Sequence, residues 1–326
     1  MKKIINLSKK YKNYIFLVLI ILLALKVFIP QLDALKESIL ALQSANPKWV
    51  ILAIIVFFLG VLVLSLQYII LAIKKLTFKL TLQVETAELF VSRILPSGVG
   101  TIALNMYYLT QKNHTVTQAS AVIAANGLSN AVAYTILVFL GLITSGFTFG
   151  VSGAQNYNIN IHKIVLIALA VLVIAFIIYQ IPKVKNKVKN FISSLLKNIE
   201  TYKDKPKNLV MAVILNGLGS LTGIFAIYAS AQALSVDLTM AQALLTYTAG
   251  NIMASLVPTP GGLGSAEAGI FAGLTIAGLS TSEAVSVTML YRLISYWIPL
   301  IPGYLAFWHL RKSVLSNFSF THKAKP

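Results

Sequence analysis

Only three of the chain's 27 basic residues are arginines, and two of these, Arg93 and Arg292, stand inside apolar stretches. Arginine presents a planar fork of N–H donors matched to phosphate or carboxylate, and it keeps its charge when desolvated. Acids are as sparse, nine in 326 residues. Glu85 and Glu88 fall three residues apart, on one face of a helix. Glu267 closes the run V-P-T-P-G-G-L-G-S-A-E, again with no polar stretch around it. A charge at membrane depth is costly and is a functional candidate. Two compatible roles stay open for Arg93 and Arg292: a grip on phosphate, or a structural pair with a buried Glu. Glu267 and Arg292 have a clear reason to pair, since each is otherwise an isolated buried charge.

These charges stand beside two breaks in the apolar pattern. The first is R-I-L-P-S-G-V-G, with Pro96 and Gly98; the second holds Pro258, Pro260, Gly261, Gly262 and Gly264. Proline removes a backbone donor and stops a helix. Glycine accepts backbone angles that other residues resist and lets a ligand approach the chain closely. Broken backbone at membrane depth is tolerated only where protein or a water-filled cavity covers it. The plainer reading is a tight turn between two helices.

Other chemistry finds little support. The histidines, His114, His162, His309 and His322, are scattered, and no metalloprotease, serine-hydrolase or phosphate-loop motif is present. The absence of cysteine removes thiolate sites and disulfides. No catalytic residue, metal or cofactor is expected. Tyr291, Tyr296, Trp297 and Trp308 read as interface anchors and packing. Asn126 and Asn130, four residues apart, read as helix–helix hydrogen bonding or path lining. Glu283 reads equally as a helix N-terminal cap or as a functional acid.

The elements that must position these residues follow from composition. The chain is 57% hydrophobic with only 11% charged residues, and its mean hydropathy is +0.80. That predicts an all-α polytopic membrane protein forming one integral membrane domain over 1–326. Six transmembrane spans are expected: Tyr14–Ile29, Trp49–Ile73, Val116–Thr144, Ile161–Ile181, Leu209–Leu234 and Ala284–Leu310. Two broken, re-entrant helical hairpins, Leu82–Gln111 and Met240–Leu279, bring the hydrophobic segments to eight. The arms of the first, about 11 residues or roughly 16 Å of helix, are too short to span. Gln31–Lys48 reads as an amphipathic helix on the outer surface.

The charge distribution sets an orientation. Net charge is +18, and 21 of the 27 basic residues fall in segments expected to be cytoplasmic. The positive-inside rule then places both termini and the basic loop 183–207 in the cytoplasm, and Ser145–Asn160 outside, in the inner cell membrane. The lysines meet anionic inner-leaflet lipid headgroups. No nucleic-acid partner is expected. The two breaks also align without a gap at an offset of 164, Pro96 on Pro260 and Gly98 on Gly262. Residues 14–147 and 161–311 then form two units with an odd number of crossings each. That predicts an inverted-topology repeat with its binding site at the breaks.

The motif V-P-T-P-G-G-L-G-S-A-E, with A-G-L-S, E-A-V and L-Y-R-L-I-S-Y-W-I-P-L-I-P-G, resembles the transmembrane region of lysylphosphatidylglycerol synthases. R-I-L-P-S-G-V-G is similar to that family's first motif. The resemblance covers nearly the whole chain. It implies a flippase-like region that moves a phospholipid or polyprenyl-linked lipid between leaflets. It points to Arg93, Pro96, Gly98, Pro260, Gly261, Gly262, Gly264, Glu267 and Arg292. In two-domain members a separate soluble domain makes aminoacylated lipid from charged tRNA. The chain ends at Pro326, so that domain and its lysyltransferase activity are not expected. The alternatives are a carrier for a small anionic solute, or the membrane part of a lipid-modifying enzyme with a separate synthase as partner. Oligomerisation stays open.

Overall fold

Helix α1, Pro47–Leu71, starts on a favourable local signal. Pro47 fits the first turn, where its missing N–H is not needed, and the Asn46 side chain accepts from the Lys48 N–H. The computed structural model describes residues 39–95, 98–144, 200–257 and 259–313, with isolated positions at 36, 37, 186 and 193. The expected spans Tyr14–Ile29 and Ile161–Ile181, the linker Ser145–Asn160, most of the loop 183–207, and Pro96 and Pro258 lie outside the described residues.

The described chain is helical. After α1 come α2 (Phe78–Ile94), α3 (Val99–Gln111), α4 (Val116–Thr144), α5 (Pro206–Ala233), α6 (Met240–Leu256), α7 (Ser265–Ile276) and α8 (Thr281–Arg292). A π-helical turn, Leu293–Trp297, joins α8 to α9 (Ile298–Ser313). Four helical stretches are long and apolar enough to cross a membrane: Pro47–Leu71, Val116–Gly141, Pro206–Ala233 and Thr281–Leu310. Large apolar side chains are exposed along each, such as Ile51, Ile55, Leu59, Leu62 and Leu66 on α1. This is the pattern of a multi-pass membrane protein, whose outer surface meets hydrocarbon instead of water.

Both broken hairpins form, α2–α3 and α6–α7. The first is longer than the sequence predicts. Its arms hold 17 and 13 residues, and α2 begins at Phe78. Lys79 reads as loop because it is charged, but lysine is a good helix former and the helix runs through it. Both hairpins' arms remain below the length needed to cross, the longest about 26 Å against roughly 30 Å of hydrocarbon. The gapless offset of 164 does not hold across the elements. Phe78 and Met240 open the first arms, 162 apart, whereas Val99 and Ser265 open the second, 166 apart. The second turn is therefore the longer, and Gly98 corresponds to Gly264. Each caps its second arm with positive φ, 82° and 79°.

Close crossings hold the helices together. A Cβ on Gly60 of α1 would stand 2.3 Å from Thr222 Oγ1 of α5. One on Gly269 of α7 would stand 2.4 Å from the Ala249 carbonyl of α6. Small residues at such points let backbones approach, which is how membrane helices gain packing energy. Neighbours repeat between the halves: α2–α3 and α6–α7, α3–α4 and α7–α8, α1–α2 and α5–α6, α2–α9 and α6–α4, with α1 against α5 at the centre.

The ends are tied by polar contacts. Tyr202 Oη and Asn208 Nδ2 donate to the carbonyls of Leu71 and Ile70, at 2.6 and 2.8 Å. His114, between α3 and α4, accepts the Lys74 backbone N–H on Nε2 at 3.1 Å. Its Nδ1 then carries the proton and faces the Leu109 and Lys112 carbonyls. Burial lowers its pKa from the usual histidine value, against the pull of these two carbonyls; the Lys74 charge adds to the lowering.

Candidate functional site

Three segments meet where the hairpins break. The last turn of α2 brings Arg93, the turn before α7 brings Gly261 and Gly262, and the junction of α8 with the π turn brings Arg292 and Tyr296. They line a cavity of about 240 Å³ with Gly98, Tyr247, Asn251 and Tyr291. Sequence positions far apart thus converge on one pocket.

Tyr296, fully buried, stands against the two arginines that line the cavity. The Arg292 guanidinium carbon lies 4.5 Å from its ring centroid and that of Arg93 lies 5.5 Å away. Both cations therefore face one ring, whose quadrupole offsets part of the cost of burying them. Gly261 fits between, with φ +61°. A Cβ there would stand 2.6 Å from Tyr296 Cε2 and 3.1 Å from the Arg93 Cα. No other residue type fits this junction without moving the ring or the first hairpin.

Arg292 pairs with Glu267, as expected, Nε to Oε1 at 2.7 Å. It is the one ion pair among the described residues. Arg93 has no carboxylate within ion-pair distance among the described residues. Its Nη1 donates to Ser92 Oγ at 2.8 Å and its Nη2 to the Ser295 carbonyl at 3.0 Å. Its Nε is buried with no partner among the described residues. The Ser295 carbonyl is available because its ordinary helical partner would be the N–H of residue 299, and Pro299 has none. An uncompensated, partly bonded guanidinium beside a polar cavity is suited to receive an anionic oxygen.

The remaining candidates separate. Gly98, Gly261 and Gly262 line the cavity. Gly264 is placed as the cap of α7, with open space where a Cβ would stand. Pro260 belongs to the second turn, where its carbonyl accepts from the Leu263 N–H at 3.2 Å. Glu85 and Glu88 do not line the cavity; they face α1 and α3. Glu88 accepts from Thr101 Oγ1 at 2.7 Å and from Asn105 Nδ2 at 2.9 Å. Asn126 takes a hydrogen bond from Gln67, a helix–helix contact. Glu283 is a cap: it accepts from the Ser280 N–H at 2.9 Å.

Tyr296 and Ser295 are the residues that sequence reasoning missed. Tyr296 reads as packing, yet its spacing of four from Arg292 places the two on one helix face. A second cavity of about 330 Å³ shares Tyr247 and Asn251 with the first and is lined also by Asn130, Tyr134, Ile252 and Leu256.

Comparison with known proteins agrees with this architecture. The UPF0104 membrane protein MJ1595 of Methanocaldococcus jannaschii is 26% identical over 308 residues, 86% of this chain and 90% of that protein. The UPF0104 membrane protein MJ1078 of the same organism is 22% identical over 231 residues, 70% of this chain and 97% of the relative. The UPF0104 membrane protein PH1989 of Pyrococcus horikoshii is 31% identical over 135 residues, 41% of this chain and 39% of that protein. Residues 14–303 match the family model described as the lysylphosphatidylglycerol synthase TM region, so both motifs, both hairpins and the arginine cavity fall within the match, and the chain belongs to that family.

Proposed function

We propose that the chain moves a phosphate-bearing lipid headgroup, of a phospholipid or a polyprenyl-linked lipid, across the cytoplasmic membrane. The observation that carries this reading is the convergence of Arg93 and Arg292 on one cavity at the tips of two broken hairpins. Arg93 and the outer N–H groups of Arg292, whose Nη2 makes only a long 3.5 Å contact to the Gly261 carbonyl, hold the phosphate. Glu267 Oε2, buried without a donor among the described residues, meets a donor group of the same headgroup. A volume of about 240 Å³ suits a headgroup and leaves acyl chains outside. The adjoining cavity gives them a side, because its wall residues Ile252 and Leu256 are also exposed to the apolar exterior.

The rest of the reading follows from the lysine asymmetry. Both termini and the loop 183–207 are cytoplasmic, the lysines rest on anionic inner-leaflet lipids, and the two units are an inverted repeat with six spans in all. The matched neighbours of the two halves support the repeat.

The test is reconstitution into liposomes carrying fluorescent phosphatidylglycerol, phosphatidylcholine and a polyprenyl phosphate, with a membrane-impermeant quencher outside. Translocation of a phosphate lipid by the wild type, lost in Arg93→Gln, is expected. No translocation of any lipid, with uptake of inorganic phosphate instead, would assign the cavity to a soluble anion. A cell extract that makes aminoacylated lipid only when the chain is present would assign it to a synthase assembly.

A further inference from the structure

Glu85 and Glu88 form a second buried polar cluster, separate from the arginine cavity. They lie one helical turn apart on α2, and Glu85 is 6% exposed. Glu88 is satisfied by two neutral donors, Thr101 and Asn105. Glu85 Oε1 is buried with no donor among the described residues. Asn105 is fully buried; its Nδ2 reaches Glu88, and its Oδ1 also has no donor. The cluster therefore holds an excess of acceptors around two carboxylates. Buried acceptors without donors are costly, and two like charges on adjacent turns add to that cost.

The groups that face the pair do not repair this. Tyr68 comes from α1 and Tyr108 from α3, both neutral phenols, with Tyr108 bonded to Thr81 at 2.7 Å. α9 packs on α2 through Gly303 and Tyr304, both against Phe90. Arg93, on the same helix, is the cation whose field reaches Glu88, and its side-chain bonds go to Ser92 and Ser295. One added proton supplies the missing donor and removes one negative charge.

We propose that Glu85 and Glu88 are a proton-binding site, and that its occupancy is coupled to anion binding at Arg93. Loading takes one H⁺ from water onto a carboxylate oxygen and breaks no other bond. It weakens the acid field at Arg93, which then holds an anion more tightly. Proton and anion thus bind together, and the affinity gain is reciprocal. The coupling rests on the phosphate reading of the cavity; the proton site does not.

The test begins with infrared spectra of the purified full chain. A protonated-carboxyl stretching band at neutral pH is expected, present in Glu267→Gln and absent in Glu85→Gln. A wild type without the band, or a band that Glu85→Gln leaves unchanged, would overturn the site. A band that vanishes on adding sodium but not potassium would assign the acceptors to a metal cation and overturn it equally. If Glu85→Gln does not fold, Glu88→Gln serves: its band must differ from wild type, because the two acids share the site. Coupling is read from proton uptake, with a pH dye in weak buffer, when a short-chain phosphatidylglycerol binds at a pH alkaline enough to have abolished the band, where the ligand-free site is empty. About one proton per ligand is expected, and none in Glu85→Gln. Binding without uptake would overturn the coupling. The band with no binding of that lipid would leave the proton site standing and remove the phosphate reading.

Discussion

Arg292 offers Glu267 one edge of its fork: Nε lies 2.7 Å from Oε1, while Glu267 Oε2 is buried with no donor among the described residues. Half of the carboxylate is left for something else, and so is the rest of the guanidinium apart from a long 3.5 Å contact from Nη2 to the Gly261 carbonyl. An Arg–carboxylate contact built only for stability is frequently bidentate. The geometry suits a pair that holds its members in place for a third partner.

Glu267→Gln therefore has two effects. It leaves Arg292 without a counter-charge, and breaking such a buried pair costs about 3–5 kcal/mol. Side-chain exposures of 9% and 16% put the expected loss toward the lower figure. The double change to Glu267→Gln and Arg292→Gln should recover most of it. Thermal unfolding in detergent, measured beside lipid translocation, checks this; wild-type values of both in the single variant would leave the pair idle.

Arg93→Lys and Arg292→Lys should each weaken headgroup binding about ten- to a hundredfold, the worth of one charge-assisted hydrogen bond. Lysine keeps a positive charge but not the planar fork. Arg93→Lys also gives up either the Ser92 or the Ser295 contact, which one fork now spans. Titration with a short-chain phosphatidylglycerol gives the affinities. Unchanged affinity in both variants would make these arginines structural.

Gly261→Ala should be far worse than Gly264→Ala, although both glycines have positive φ. Gly264 has open space where the methyl would go, so the cost is backbone strain alone, about 1–3 kcal/mol for a sparsely populated positive-φ conformation. At Gly261 the methyl would meet both Tyr296 and the Arg93 backbone. Loss of binding in Gly261→Ala, with binding retained in Gly264→Ala, is the expected pattern; equal behaviour would mean the ring is free to shift.

Stability should fall on mild acidification, through His114. Its pKa is lowered in the folded protein, chiefly by burial, so the neutral ring is the native form. In the unfolded chain it binds a proton near pH 6.5, so its contribution is intact above about that value and is lost as pH falls below it. His114→Gln keeps an acceptor for the Lys74 N–H and should flatten this part of the pH profile. An unchanged profile would place the acid sensitivity elsewhere.

The four long spans were readable because lipid-facing helices are apolar all round, and their ends match the sequence reading within three residues. The breaks were readable because proline and left-handed glycine have few other uses there. The pairing of Arg292 with Glu267 followed from the cost of an isolated charge. Other features carried no such signal. Tyr296 looks like any interfacial aromatic until two arginines are seen against it. Lys79 looks like loop because charge marks an end only statistically. The separation of Glu85 and Glu88 from the arginines depends on which side of α2 faces which neighbour, and spacing along one helix does not say.

The π turn at Leu293–Trp297 sets a phase relationship. Its wide bond, from the Ile298 N–H to the Leu293 carbonyl, accommodates one residue more than an α-helical turn. Every side chain beyond it is thus rotated by about 100° from where an unbroken helix would carry it. Upstream, the helix is indexed to Glu267 through Arg292; downstream, it is indexed to the first hairpin through Gly303, seated on Phe90. The extra residue lets one continuous rod serve both settings at once. Removing a single residue from this turn would keep composition, length class and hydropathy almost unchanged, yet it would put the two ends out of step. Loop lengths can drift in such a protein, but the residue count between Arg292 and Gly303 cannot.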